Sequence, residues 1–248
     1  MTAGVSESTV IPAPRTITGV LDHAFEILRL HLGTVALLAI AVVLPLSVVM
    51  LVLQIQSVGL DGIGDPLAGF DEDAGTDITL TVVGFLVGSL QVTLMAGAVA
   101  PLVTGSAGSE PSASLLAGRL LRRLPAVLAG WILVKFVEVI GLFGVGIGAA
   151  VVMVFSVLTT PVIVTLCANP FRALGLSFRL VGRAFGRTVG VVALMVVVDN
   201  LIRLSFIAVP AVLTAWSGWS AGALMVAVLS VVADLLSASF VALATVTH

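Results

Sequence analysis

Only 10 % of the 248 residues are charged, tyrosine is absent, and Cys167 is the single cysteine. A soluble domain of ordinary composition carries about 25 % charged residues, so this chain is not built to be wetted on all sides. One cysteine excludes an internal disulfide. The three histidines, His23, His31 and His248, fall outside the long apolar runs, and no His-Glu-x-x-His motif occurs. Zinc and serine–histidine chemistry inside those runs are therefore not expected, and neither is any metal or cofactor. Eleven basic against thirteen acidic residues give a net charge of −2, too balanced for a nucleic-acid binder.

What the chain has is hydrophobicity: 59 % of residues are AVILMFWYC, with a mean hydropathy of +1.25. A hydrocarbon core about 30 Å thick takes about 20 apolar residues per helical crossing. The expected fold is all-α and integral to the membrane: six transmembrane helices as three hairpins, each preceded by a cytoplasmic amphipathic interfacial helix. Residues 1–15, polar and broken by Pro12 and Pro14, read as a disordered cytoplasmic tail without the apolar run of a signal peptide. Residues 16–248 read as one membrane domain.

The spans fit Gly33–Gln56, Ile78–Val103, two crossings within Ala126–Cys167, Thr188–Leu213 and Ala221–Val246. The glycine-rich Gly141–Gly148 stretch supplies the turn between the third and fourth; it lacks the Lys-Ser/Thr of a phosphate loop. Thr16–His31, Gly105–Pro125 and Asn169–Arg187 carry apolar residues at helical spacing opposite polar ones, the pattern of interfacial helices. In the third, Leu174, Phe178, Val181 and Phe185 oppose Arg172, Arg179, Arg183 and Arg187. Ser112 and Ser114 offer the second an N-cap. Trp131, Trp216 and Trp219 fall near span ends, as interfacial anchors do.

Basic residues accumulate on the cytoplasmic side of short loops. Arg15, Arg29, Arg119, Arg122, Arg123, Arg172, Arg179, Arg183 and Arg187 all fall on one side of this topology, whereas Ser57–Asp77, with Asp61, Asp65, Asp71, Glu72, Asp73 and Asp77, falls on the other. Both termini are expected in the cytoplasm of a bacterial cell, with the protein in its plasma membrane. Arg119, Arg122, Arg123 and the four arginines from 172 to 187 are expected to contact anionic headgroups of the inner leaflet, at about 1 kcal/mol per basic residue.

A unit of amphipathic helix and hairpin recurs three times. Ala24-Phe25-Glu26-Ile27-Leu28 before Gly33-Thr34-Val35 overlays Ser177-Phe178-Arg179-Leu180-Val181 before Gly186-Arg187-Thr188-Val189 with a one-residue gap. Internal repeats are common in transporter folds, whose sites form at repeat interfaces.

Thr160-Pro161-Val162-Ile163-Val164, Pro170, Ala173-Leu174, Ser177 to Val181, Arg183, Phe185 and Arg187 to Gly190, with the opening Thr16 to Asp22 and Ala24-Phe25, resemble a bacterial family. It is the glycerophosphoryl diester phosphodiesterase membrane domain. Members often carry a carboxylate just before Pro170, where this chain has Leu166 and Cys167, and an arginine pair where it has Gly175 and Leu176. The likeness implies a stand-alone six-span member without the catalytic barrel, and hence no enzyme.

Five ionisable residues lie inside the expected spans, each costing about 2.5–3.5 kcal/mol at mid-membrane. Lys135 and Glu138 are three apart, Asp199 and Arg203 four apart, so each couple can pair on its own helix. Asp234 has no such local partner. With Gln91 and Asn200 at comparable depth, a shared intramembrane polar cluster is expected. One reading of it is structural: the protein is a non-enzymatic accessory or scaffold subunit, or a lipid-interacting protein, with a membrane partner or a second copy seated by these groups. The alternative is a small proton- or ion-linked transporter or channel with the cluster at its centre. They differ in whether these side chains face a cavity or a dry helix interface.

Overall fold

A long apolar run leaves its backbone N–H and C=O groups to satisfy one another, and each such run here is helical. The computed structural model describes residues 16–62, 74–104, 112–143, 147–166, 169–208, 212 and 221–247. The expected tail 1–15, most of the acidic segment, Cys167 and the stretch with Trp216 and Trp219 lie outside the described residues. Among the described residues no strand occurs. The helices are α1 (Ile17–Leu30), α2 (Leu32–Gly62), α3 (Ala74–Val103), α4 (Ala113–Leu142), α5 (Ile147–Ser156), α6 (Thr159–Leu166), α7 (Pro170–Arg183), α8 (Phe185–Arg203) and α9 (Ala221–Thr247). A π-helical turn, Leu204–Ala208, follows α8.

Five of these helices, α2, α3, α4, α8 and α9, are long and apolar enough to cross a membrane by length and composition. The expected fourth crossing is not one helix. It divides at Val157–Leu158 into α5 and α6, because Thr159-Thr160-Pro161 starts a new helix: a proline in the first turn lacks an N–H that would have no intrahelical acceptor there. The break is stabilised from α7, where the buried Ser177 hydroxyl donates to the Phe155 carbonyl at 2.6 Å. Phe155 also stacks on Phe178 and Phe185, with centroids 5.0 and 5.3 Å away.

The second expected interfacial helix is likewise not separate. Ser112 caps the start of α4 through the Leu115 N–H, and α4 then runs unbroken for 30 residues through Pro125. Leu116, Leu120, Val127 and Gly130 are all buried, so one continuous packing stripe carries the helix past the missing hydrogen bond.

The expected first and third amphipathic helices are distinct elements, α1 and α7; each packs one face against protein, while Phe25 and Phe185 of the expected stripes stay exposed. Val20, Ala24 and Ile27 of α1 are buried, α1 packs on α9, and Phe25 lies 5.2 Å from Phe240. Ala173, Ser177 and Val181 of α7 are buried where it meets α4, α5 and α6. An amphipathic pattern specifies an apolar face, not what covers it.

The repeat is visible in three dimensions. Helices α1 and α7 each have 14 residues. Each ends in one non-helical residue, His31 (φ −119°, ψ 28°) or Ala184 (φ −130°, ψ 32°), before a long helix starts. In this register Val20 falls on Ala173, Ala24 on Ser177, Val35 on Thr188 and Leu38 on Val191, every one of them buried. Gly33 falls on Gly186, so no gap is required.

The main cluster of buried apolar side chains lies in one half of the bundle: Val35, Leu38 and Val43 of α2, Val99 of α3, Leu120 and Val127 of α4, Ile163 of α6, Val191 of α8 and Leu243 of α9; Val226, Ala227 and Ala233 of α9 are buried outside it. This half lies toward the end marked by Arg29, Arg119, Arg122, Arg123 and the arginines of α7. Small residues permit the close approach. A Cβ on Gly97 would meet Leu120, Thr160 and Val164 at 3.1–3.3 Å, and one on Gly130 would meet Ile163 at 2.6 Å.

Candidate functional site

The other half of the bundle encloses a cavity of about 550 Å³. Its lining includes Gln54, Glu138, Arg203 and Ser230, toward the end opposite the arginines, and reaches down among the core residues to Ala96, Met195 and Thr245. Helices α8 and α9 form one wall, packed on each other; α4 contributes to the facing one, and α2, α3, α5 and α6 complete the lining.

On the α8–α9 wall one guanidinium bridges two carboxylates. Arg203 Nε donates to Asp199 Oδ1 and Oδ2 at 3.2 and 3.3 Å, and Nη1 donates to Asp234 Oδ1 at 2.8 Å. Asp199 also accepts from the Ser237 hydroxyl. Asp234 Oδ2 accepts from Ser47 Oγ of α2 at 3.0 Å, and Ser47 Oγ accepts from Gln91 Nε2 of α3 at 2.8 Å. A continuous polar chain thus crosses α3, α2, α9 and α8. The side chains are half-sheltered, 29 % exposed for Asp199, 40 % for Arg203 and 19 % for Asp234, and all three line the cavity.

On the facing wall Lys135 Nζ meets Glu138 Oε2 at 2.7 Å and lies 4.5 Å from the Phe85 ring centroid. Nearby, Trp131 Nε1 donates to Ser89 Oγ at 3.0 Å.

The structure therefore brings Gln91, Lys135, Glu138, Asp199, Arg203 and Asp234 to one cavity and leaves out Asn200. Asn200 is exposed and donates to the Val196 carbonyl at 2.8 Å, a bond within its own helix. Asp234 is not unpaired: its partner, Arg203, comes from another helix, where sequence spacing gives no signal. Trp131 is a cavity-wall residue rather than a span-end anchor. Ser47, Ser89 and Ser237 carry contacts that sequence reasoning missed, since a serine in an apolar run usually bonds to its own helix; Phe85 had no distinguishing mark.

The arginines expected to meet headgroups do not enter the cavity. Arg119, Arg122, Arg172, Arg179 and Arg183 are exposed, while Arg123 and Arg187 are half-buried. Those of α7 lie opposite its buried Ala173, Ser177 and Val181.

These features define the class: an all-α bundle with five helices apolar and long enough to span a membrane, and a charged cavity between them. No family model, curated protein or solved structure matches the chain.

Proposed function

We propose that the chain is a multi-pass membrane protein that works as a small proton- or ion-linked transporter or channel, with the charged cavity as its pathway. The observation that carries this reading is the convergence of five ionisable side chains from α4, α8 and α9 on one cavity. Charged groups inside a membrane are costly, and they mark substrate or ion paths when they line a cavity. A cavity of about 550 Å³ also falls within the roughly 300–1,000 Å³ of small-molecule sites. Exposed Leu37, Ile40, Ile132, Phe136 and Val197 give the outer faces the apolar character that lipid contact requires. In this reading α5 and α6 together make the sixth crossing, the arginine-rich end faces the cytoplasm of a bacterial cell, and the cavity opens away from it. The exposed arginines of α4 and α7 then meet anionic headgroups. The likeness to the phosphodiesterase membrane domain rests on the quoted residues and adds no activity.

The test is a cysteine at Gly88, on the cavity lining, where an added Cβ meets nothing within 4 Å. In a Cys167→Ser background, Gly88→Cys in intact cells is expected to react with a membrane-impermeant maleimide. Reaction only after denaturation would overturn the pathway reading and favour an accessory or scaffold subunit with a dry polar interface.

A further inference from the structure

The charges of the cavity define what it should take up. Its lining holds three carboxylates, Glu138, Asp199 and Asp234, against two cations, Lys135 and Arg203. The excess is one negative charge, and it sits on the α8–α9 wall, where two carboxylates share a single guanidinium. Neutral hydroxyls of Ser47 and Ser237 make up the remaining contacts of that wall. A low-dielectric cavity with one sign in excess concentrates ligands of the opposite sign.

Both walls already hold a cation on a tether. Lys135 occupies a seat built from Glu138 and the face of Phe85, the pairing that binds ammonium groups generally. Arg203 occupies the seat between Asp199 and Asp234 through Nε and Nη1. It is the most exposed of the five cavity charges, at 40 %. It is also the last residue of α8, immediately before the π-helical turn Leu204–Ala208, and such departures from α-helical bonding recur at functional sites. Its guanidinium thus lies among the lining residues farthest from the arginine-rich end, where another cation can displace it from the seat.

We propose that the cavity binds a small organic cation, carrying a guanidinium or primary ammonium group, at Asp199 and Asp234 in exchange for Arg203. Apolar lining from Val87, Val92, Val192 and Val241 receives the uncharged part of such a ligand. The inference rests on the pathway reading and specifies its substrate class.

The experiment is calorimetric titration of the purified full chain in lipid nanodiscs with propylguanidinium chloride, with sodium butyrate and sodium chloride as anionic and inorganic controls. Saturable binding of propylguanidinium alone is expected. Asp234→Asn should weaken it about tenfold or more, and Arg203→Gln, which removes the tethered competitor, should tighten it by about tenfold. The Arg203→Gln gain cannot arise from misfolding, so it guards against an Asp234→Asn chain that fails to fold. Absence of propylguanidinium binding by the native chain, or saturable binding of butyrate in its place, overturns the cation assignment. If Gly88→Cys still reacts in intact cells in either case, the pathway reading survives; if it is protected, both fall together.

Discussion

At the scale of single residues, the polar chain from Gln91 to Ser237 is held by bonds between helices. Asp234→Asn keeps the size of the side chain but removes the charge facing Arg203, which retains Asp199. A fully buried ion pair that loses one partner costs about 3–5 kcal/mol; the half-sheltered cavity groups are screened, and roughly 1–2 kcal/mol is expected here. Thermal unfolding of the purified protein in detergent should show a modest fall. Asn200→Ala, outside the network, should leave unfolding within about 0.5 kcal/mol of the native chain. An Asn200 effect as large as that of Asp234 would mean that the network drawn here is wrong. The sequence exposed half of this site. Lys135 with Glu138, and Asp199 with Arg203, are legible because helical neighbours three or four apart share a face. The Arg203–Asp234 bond, and the bonds that Ser47 and Ser237 make, join distant stretches of chain, and nothing in local spacing encodes which helix will lie opposite.

At the scale of elements, the division of α5 from α6 is the departure with the clearest cause. Ser177 is fully buried and its hydroxyl donates to a carbonyl that the break frees. Ser177→Ala leaves that carbonyl without its donor, at a cost of about 1–3 kcal/mol, and a lowered midpoint of thermal unfolding is the expected reading. Ser114→Ala, on the exposed start of α4, should be close to neutral. Gly97→Leu forces a side chain against Leu120, Thr160 and Val164, and overpacking of this kind costs about 1–3 kcal/mol; loss of monodisperse protein on size-exclusion chromatography would accompany it. Most helices were legible from apolar runs; the expectation of one uninterrupted fourth crossing missed the break, although its cause, Thr159-Thr160-Pro161, is local. The unbroken α4 was not, because a proline after a basic amphipathic stretch reads as a boundary, whereas the buried stripe through Leu120, Val127 and Gly130 overrides it. The repeat of α1–α2 in α7–α8 was visible in a few residues, and the matching 14-residue helices and caps fix its register.

At the scale of the whole molecule, the two halves of the bundle do different work. Toward the arginine-rich end, aliphatic side chains and small residues close the interior; toward the other end, the same helices part around charge. The arginines add an asymmetry of surface. Replacing Arg172, Arg179 and Arg183 together by Gln should reduce the anionic lipid that co-purifies with the protein, by about 1 kcal/mol of surface attraction for each charge removed. Their exposed positions predict little change in unfolding temperature. Unchanged lipid retention would assign these charges to orientation alone.

In the pathway reading, one half of this bundle is a water-filled cavity open away from the arginines and the other half is closed. Helix α3 lines both halves: Gly88 borders the cavity and Ala98 is fully buried in the core. Cysteines placed singly at these positions in the Cys167→Ser background would be exposed to an impermeant maleimide from each side of the membrane in turn. Labelling of Gly88→Cys from the side opposite the arginines, and protection of Ala98→Cys from both, are expected. Equal protection of the two, or labelling of Gly88→Cys from the arginine side alone, would contradict the pathway reading.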